Sequence, residues 1–541
     1  MRLARIPFGL LALFATLGVL AANLAGSMAF ELLDVDEPRF ATASRQLLRS
    51  GDWLVPHFNG AERLDKPILV YWLQAACMAL FSSSEFAARL PSALAVAAAV
   101  PATACIGRAL GLRAPFAVIA GAAVGTSGAA QALAHGATAD ATLLGIVAWT
   151  CKLMVDVKLG RAGPVSRVLV WVLLALAFLT KGPPALVAPL ALASGMFAAG
   201  WRPRLAGFSA GAVLAAAIVA AWAVPALIRT EGRFWTIGVM HHVVDRSLRP
   251  FEGHGGHAPW WYLFYAGAVP LAFLPWTPFL LALRRGLRLR EQAVPGTARL
   301  LGAWFFVTLL VFSLATSKLA HYPLPAFPAL AIAMAFALQA HPLADRWVGG
   351  TLLALGVLAG GVTIAAFPVL GLGIEVPALL TGTALLVGFA GASRLAWRGE
   401  LGGAGLAMAF VAIAGFGGFA AFVAPPLLEH GAAHVVQMRK AEVFPPERRV
   451  ATYALSMPSL VFYLDREVPA LDPSAAVQWL LTSGQVLVTT RDKLAQLDPA
   501  IAALDEAQRA AVRALVASPR HVLRGFLPNK GKLVDLLVIG S

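Results

Sequence analysis

The sequence predicts a mainly α-helical, polytopic membrane protein of about thirteen transmembrane helices, with interfacial helices in a long first loop and a small C-terminal α/β domain. Three observations predict it. Of 541 residues, 59% are hydrophobic and only 13% charged, with a mean hydropathy of +0.74; a chain this apolar uses lipid as its solvent for most of its length. Apolar runs of about 20 residues, the length that crosses a bilayer as a helix, recur as far as residue 424 with short basic clusters between them. From about residue 440 the composition becomes that of an ordinary soluble protein.

Taken in order, the candidate spans are roughly 8–29, 87–107, 114–134, 138–158, 166–180, 183–200, 205–228, 260–283, 299–316, 322–340, 347–367, 376–396 and 401–424. The first begins after Arg2 and Arg5 and is too long for a signal-peptide core. Pro and Gly inside several spans do not argue against helix, because close neighbours in a bundle satisfy the freed backbone groups. Residues 1–430 thus form the membrane domain, with long loops at 29–86 and 229–259, and 440–541 form the soluble domain.

The formal net charge of +15 is distributed as a topology signal and not as a nucleic-acid surface. Arg2 and Arg5, Arg108 and Arg113, Lys152, Lys158, Arg161 and Arg167, Arg202 and Arg204, Arg284 to Arg290, Arg346, and Arg394 and Arg398 all fall on one side of the predicted spans. The positive-inside rule makes that side cytoplasmic. The N-terminus is then cytoplasmic, while the two long loops and the C-terminal domain lie on the outer face. Cys77, Cys105 and Cys151 sit in apolar stretches without metal-ligand spacing and read as small buried hydrophobes.

The first loop has internal structure. Pro38 suits a first helical turn with Asp36 and Glu37 at its N-terminus; Phe40, Ala43, Leu47 and Leu48 make one apolar face, and Gly51 ends it. Pro67 to Phe81 is a second helical segment, too short to span, and the 229–259 loop has room for a third. In the soluble domain, 448–455 and 484–490 read as strands, Ser456–Tyr463 as a short helix, Pro499–Val516 as one amphipathic helix, and 521–527 and 532–540 as closing strands. That domain shows no nucleophile–base arrangement, glycine-rich loop or metal spacing, so its expected role is structural or substrate-covering.

Asp140, at the outer end of a helix that is apolar beyond it, is the most informative single residue. A carboxylate costs about 2.5–3.5 kcal/mol at the centre of a membrane helix, and such groups usually face a bundle interior or a cavity. Asp36 and Glu37 alone would be ordinary solvated acids, but the predicted topology puts them on the same face as Asp140. Separated carboxylates on one face suit acid–base work or the orientation of a nucleophile. Asp34 and Asp36 offer too few oxygens for a confident divalent-cation site, so a cation is possible but not indicated and no other cofactor is. Arg39, Lys66, Lys181, Arg246 and Lys318 share that face against the positive-inside bias, and bound phosphate at headgroup level accounts for them.

Asp36-Glu37-Pro38-Arg39-Phe40, Gly51-Asp52-Trp53, Pro56, Lys66-Pro67 and Tyr71-Trp72 follow in that order. Residues 86–94, Asp140, 179–190, 257–263 and 317–330 continue the pattern. The series resembles the bacterial lipid-linked-sugar glycosyltransferases, the lipid A aminoarabinose transferases and their relatives, which share the C-type glycosyltransferase fold with protein O-mannosyltransferases. The resemblance implies transfer of a sugar from a polyprenyl (undecaprenyl) phosphate donor to lipid A, another envelope glycolipid or a protein, at the outer face of the bacterial inner membrane. It implies Asp36 and Asp140 as the two acids, and Lys66 and Arg39 as cations near the donor phosphate. Beside these, Glu37 is a further catalytic candidate, and Lys181, Arg246, Lys318, Tyr322 and His57 are further candidate substrate contacts from their place on the same face. Membrane lipids are further partners, and nucleic acid is not one. The chain departs from the family at Arg63-Leu64-Asp65, before the Lys-Pro, and at His241-His242, which bears on sugar and acceptor identity. The alternative from another class is a transporter or flippase for the lipid-linked sugar. Such proteins carry ionisable groups near the midplane of two matching halves, which this sequence does not display.

Overall fold

A computed structural model describes residues 6–201, 207–245, 258–285, 294–340, 344–429, 431–527 and 532–540. The chain divides into two compact units, one of Met1–Ser27, Leu64–Leu73 and Arg89–Val423, the other of Met28–Arg63, Gln74–Ala88 and Ala424–Ser541.

The first unit is helical. Among the described residues, seven helices are long and apolar enough to cross a membrane, or nine if each of two bent pairs is one crossing. The other four expected spans are helical as well, at Phe8–Leu24, Ala139–Lys158, Pro183–Ala198 and Leu324–Ala340. Three of these are shorter, and Ala139–Lys158 carries Asp140, Lys152, Asp156 and Lys158. Length and apolarity by themselves therefore support seven to nine crossings and do not establish thirteen. The bends have local causes. The chain turns by 57° at Thr126–Ser127, between Ala114–Gly125 and Gly128–Ala134, where Gly128 N leaves the helical ladder and donates to Leu274 O at 2.6 Å. It turns by 114° before Thr277–Arg284, where Pro275 cannot continue the preceding helix.

Small residues let the backbones approach, the usual basis of helix association in lipid. A Cβ on Gly145 would stand 2.6 Å from the Ala95 carbonyl oxygen, so only glycine lets Ala139–Lys158 lie this close to Glu85–Leu110. Trp149 Nε1 donates to Ala98 O at 2.9 Å across the same contact. Buried Asn23 is paired through both ends of its amide, as burial favours: it donates to Ala93 O at 2.9 Å and accepts from Gln131 at 2.8 Å.

The second unit joins most of the first loop to the C-terminal segment. The expected loop helix is present at Asp36–Ser50, with Phe40, Ala43 and Leu47 buried and Gly51 ending it at φ +71°. Strands β1 (His57–Phe58) and β2 (Ala61–Glu62) form a hairpin whose turn, Asn59-Gly60, has φ of +54° and +80°. That is the geometry an Asn-Gly hairpin supplies. The second expected segment is a helix at Leu69–Phe81, and the third is a π-helix at Phe234–Asp245 in the first unit.

The C-terminal segment of this unit forms a five-stranded mixed sheet. Its strands β3 (Arg449–Tyr453), β4 (Ala470–Leu471), β5 (Gln485–Thr490), β6 (His521–Leu527) and β7 (Lys532–Gly540) are ordered β4-β3-β5-β7-β6. β3 runs parallel to β4 and β5, and β7 antiparallel to β5 and β6. Successive residues feed opposite faces, as strand geometry demands. Val450, Val486 and Val488 pack with Val436 and Leu460, whereas Ala451 and Leu487 pack with Leu480 and Val512. The single helix expected over Pro499–Val516 is two, Asp498–Ala502 and Glu506–Ala517. Asp505 separates them: its carboxylate accepts from Gln508 N at 2.8 Å and so starts a new helix.

Candidate functional site

In the first unit, helix lengths bring charges together that are far apart in sequence. Ala139–Lys158 and Pro164–Lys181, 20 and 18 residues long, run one after the other through the short connection 159–163 and pack together. At 1.5 Å per residue they are nearly equal in length, so an acid in the first turn of one and a lysine in the last turn of the next share an end. Helix dipoles favour both placements. The Lys181 ammonium donates to Asp140 Oδ1. His321 Nε2 lies 3.4 Å from the same oxygen, and the Lys181 ammonium stands 4.7 Å from the centre of the Tyr322 ring. Lys66 adds to the positive field on Asp140. Lys66 is itself paired with the neighbouring Asp65 carboxylate at 3.2 Å.

Lys318, on the same connection as His321 and Tyr322, is buried, donates to the Ala315 carbonyl and lies 5.5 Å from the Tyr262 ring centre. Lys181, His321 and Lys66 thus gather about the Asp140 and Asp65 carboxylates. Two lysines held in place by acids at one end of the helices suit a phosphate group. His321 and Asp65 were not among the expected site residues. The first had no distinguishing spacing, and the second stood out only as a departure from the resembling family's pattern.

In the second unit the three loop acids have separate uses. Asp34 accepts from Ser459 twice, at 2.8 Å from the backbone N–H and 2.6 Å from the hydroxyl. Glu37 is buried, and its Oε2 accepts from Leu33 N at 2.8 Å. Asp36 is exposed, and its side chain has no hydrogen-bond or ionic partner among the described residues. Arg39 donates to Ser456 Oγ at 3.4 Å, and His57 is half-buried at the start of the hairpin. Arg246 lies outside the described residues. Among the described residues, no three His, Cys, Asp or Glu side chains gather as a metal-ligand set.

Burial raises the Asp34 carboxyl from its ordinary 3.8 to about 6, against the Ser459 hydrogen bonds and Arg39, which pull it down. Over that window the folded chain holds this proton more tightly than the unfolded one. The stability it contributes is present below pH 3.8 and is lost as pH rises through about 6. Asp34→Asn keeps an acceptor for the Ser459 N–H without the buried charge. It is expected to flatten the fall in Tm between pH 4.5 and pH 7.5 by about a few degrees. Melting curves of the two purified proteins check this, and equal slopes refute it.

Comparisons with known proteins agree with the resemblance read from the first-loop motifs. A family model described as dolichyl-phosphate-mannose-protein mannosyltransferase matches residues 65–228. The undecaprenyl phosphate-alpha-4-amino-4-deoxy-L-arabinose arabinosyl transferase of Pseudomonas aeruginosa (strain UCBPP-PA14) is 33% identical over 357 residues, covering 62% of this chain and 60% of that protein. Its counterpart from Aeromonas salmonicida (strain A449) is 34% identical, covering 56% of this chain and 55% of its own. The matched stretch thus spans little more than half the length of these curated relatives. The crystal structure of ArnT from Cupriavidus metallidurans bound to undecaprenyl phosphate superposes with a TM-score of 0.72 at 22% identity, covering 99% of this chain and 98% of that one. Its apo form gives a TM-score of 0.69 at 20% identity, with 98% and 97% covered. The fold is shared along the whole chain.

Proposed function

We propose that this chain is an inner-membrane glycosyltransferase that moves a sugar from polyprenyl phosphate to an acceptor at the periplasmic face. The favoured acceptor is lipid A, with an aminoarabinose-type sugar. The observation that carries the reading is the Asp140–Lys181–His321 cluster with Lys66 acting on it, a cationic group suited to a phosphate in a chain whose relatives are named for a phosphate-linked donor. In this reading the N-terminus is cytoplasmic and the soluble domain periplasmic.

The proposed chemistry is one inverting displacement. An acceptor oxygen forms its bond to the anomeric carbon as the bond from that carbon to the phosphate oxygen breaks. The electron pair leaves with the polyprenyl phosphate. Lys66, Lys181 and their neighbours stabilise that departing anion, an electrostatic role. Asp140 holds Lys181 and His321 in place. Asp36 orients the acceptor and takes its proton if it is a hydroxyl; a phosphate acceptor arrives ionised and gives up none. Glu37 holds the loop through Leu33, while Arg39, Lys318, Tyr322, His57 and Arg246 contribute to binding.

Mass spectrometry of lipid A and envelope glycans, from cells with and without the protein, tests the function. A sugar present on lipid A only with the active chain is the expected result. The same sugar on protein would favour O-glycosylation, and unchanged glycans with altered transbilayer distribution of the lipid-linked sugar would favour a flippase.

A further inference from the structure

We propose that Ser459 and Tyr463, on one helix of the C-terminal domain, are positioning residues for Asp36. This rests on the reading of Asp36 as the acid that orients the acceptor. The helix Asp36–Ser50 begins at Val35, which has no side chain able to cap it and makes no capping bond. An uncapped start frays readily. Glu37 reaching back to the Leu33 N–H is the local restraint.

The remaining restraint comes from more than 370 residues away in sequence. Ser459 and Tyr463 are four residues apart on the helix Pro458–Leu464, so their side chains share a face. Ser459 holds the Asp34 carboxylate with two hydrogen bonds. The Tyr463 hydroxyl accepts from Leu32 N at 2.7 Å and donates to Glu85 Oε1 at 3.1 Å. Leu32, Leu33 and Asp34 are therefore each fixed immediately ahead of Asp36. Further along the same loop helix, Arg45 donates to Phe462 O at 2.9 Å, and both Arg45 and Arg49 pair with Asp465, at 3.1 and 2.8 Å.

The short helix therefore grips the loop helix before its start and over its later turns. Asp36, between the grips, is left without a partner among the described residues. A side chain free of its own bonds takes its position from the backbone beneath it. Displacement of a reacting group by about 1 Å can cost on the order of a hundredfold in rate. This gives the soluble domain a role in the reaction without its supplying a group to it.

The test uses the full-length protein with Ser459→Ala, Tyr463→Phe and Ser459→Thr. Hydrogen exchange at the Leu32 and Leu33 amides reports the brace, and steady-state transfer reports its consequence. Ser459→Ala and Tyr463→Phe are expected to speed exchange and lower kcat about tenfold, with the donor KM unchanged. Ser459→Thr, which keeps the hydroxyl, is expected to restore kcat. Faster exchange with unchanged kcat overturns the positioning role, as does unchanged exchange in both variants. A fall in kcat that Ser459→Thr fails to restore also counts against it. Wild-type protein that transfers no sugar from any polyprenyl phosphate overturns the reaction instead, while the exchange data still decide whether the brace exists.

Discussion

Asp36→Asn is expected to abolish transfer, lowering kcat by about 10²–10⁴-fold, while leaving the protein folded and able to bind donor. The side chain is exposed and makes no bond among the described residues, so losing its charge costs the fold only its favourable place in the first helical turn, about 0.3–1 kcal/mol. The amide matches the carboxylate in size, yet it is no base and carries no charge to orient an acceptor. Neighbouring acids supply the contrast. Glu37→Gln retains an oxygen for the Leu33 N–H, and Asp34→Asn retains one for the Ser459 N–H. Both are expected to keep most of the activity. Transfer rates with saturating donor, measured alongside melting temperature, separate the three. Near-normal turnover in Asp36→Asn would remove it from the mechanism.

The second large effect is expected at the Asp140–Lys181 pair. Lys181→Met leaves Asp140 with His321 and the more distant Lys66 in a partly buried position. Breaking a buried pair by removing one partner typically costs about 3–5 kcal/mol, reduced here because both side chains keep some exposure. The single variant is therefore expected to lose both stability and activity. Asp140→Asn combined with Lys181→Met removes both charges and is expected to recover stability without recovering transfer, because the phosphate loses its lysine. Thermal unfolding and donor-dependent kinetics on the two singles and the double make the test. Recovery of both quantities would make the pair a fold element only.

Much of this protein is legible in the order of its residues. Lipid as solvent imposes long apolar helices, so each expected span lies on helical structure. Gly51 and the strands of the C-terminal sheet declare themselves because helix ends and sheets have local requirements, whereas the Asn59-Gly60 hairpin is read only from the structure. The split at Asp505 was missed because an amphipathic pattern continues across a capping residue that restarts the helix. The motifs also separate Asp36 from its neighbours by resemblance, without a physical reason for the difference.

That reason lies in tertiary structure. Asp34 is engaged by Ser459 and Glu37 by Leu33, so Asp36 is the loop acid left exposed. Likewise, His321 meets Asp140 across 181 positions, and Tyr463 meets Leu32 across 431, with no periodicity or spacing to announce either. The sequence by itself determined which segments are helices, which residues are costly to bury and which chemistry they suit. Each of those follows from local pattern and from the transfer of side chains into lipid. Only the tertiary structure decided which charges answer one another, and that the C-terminal domain grips the first loop. Hydrogen bonds and ion pairs are fixed by distances of a few ångströms, which chain order does not specify.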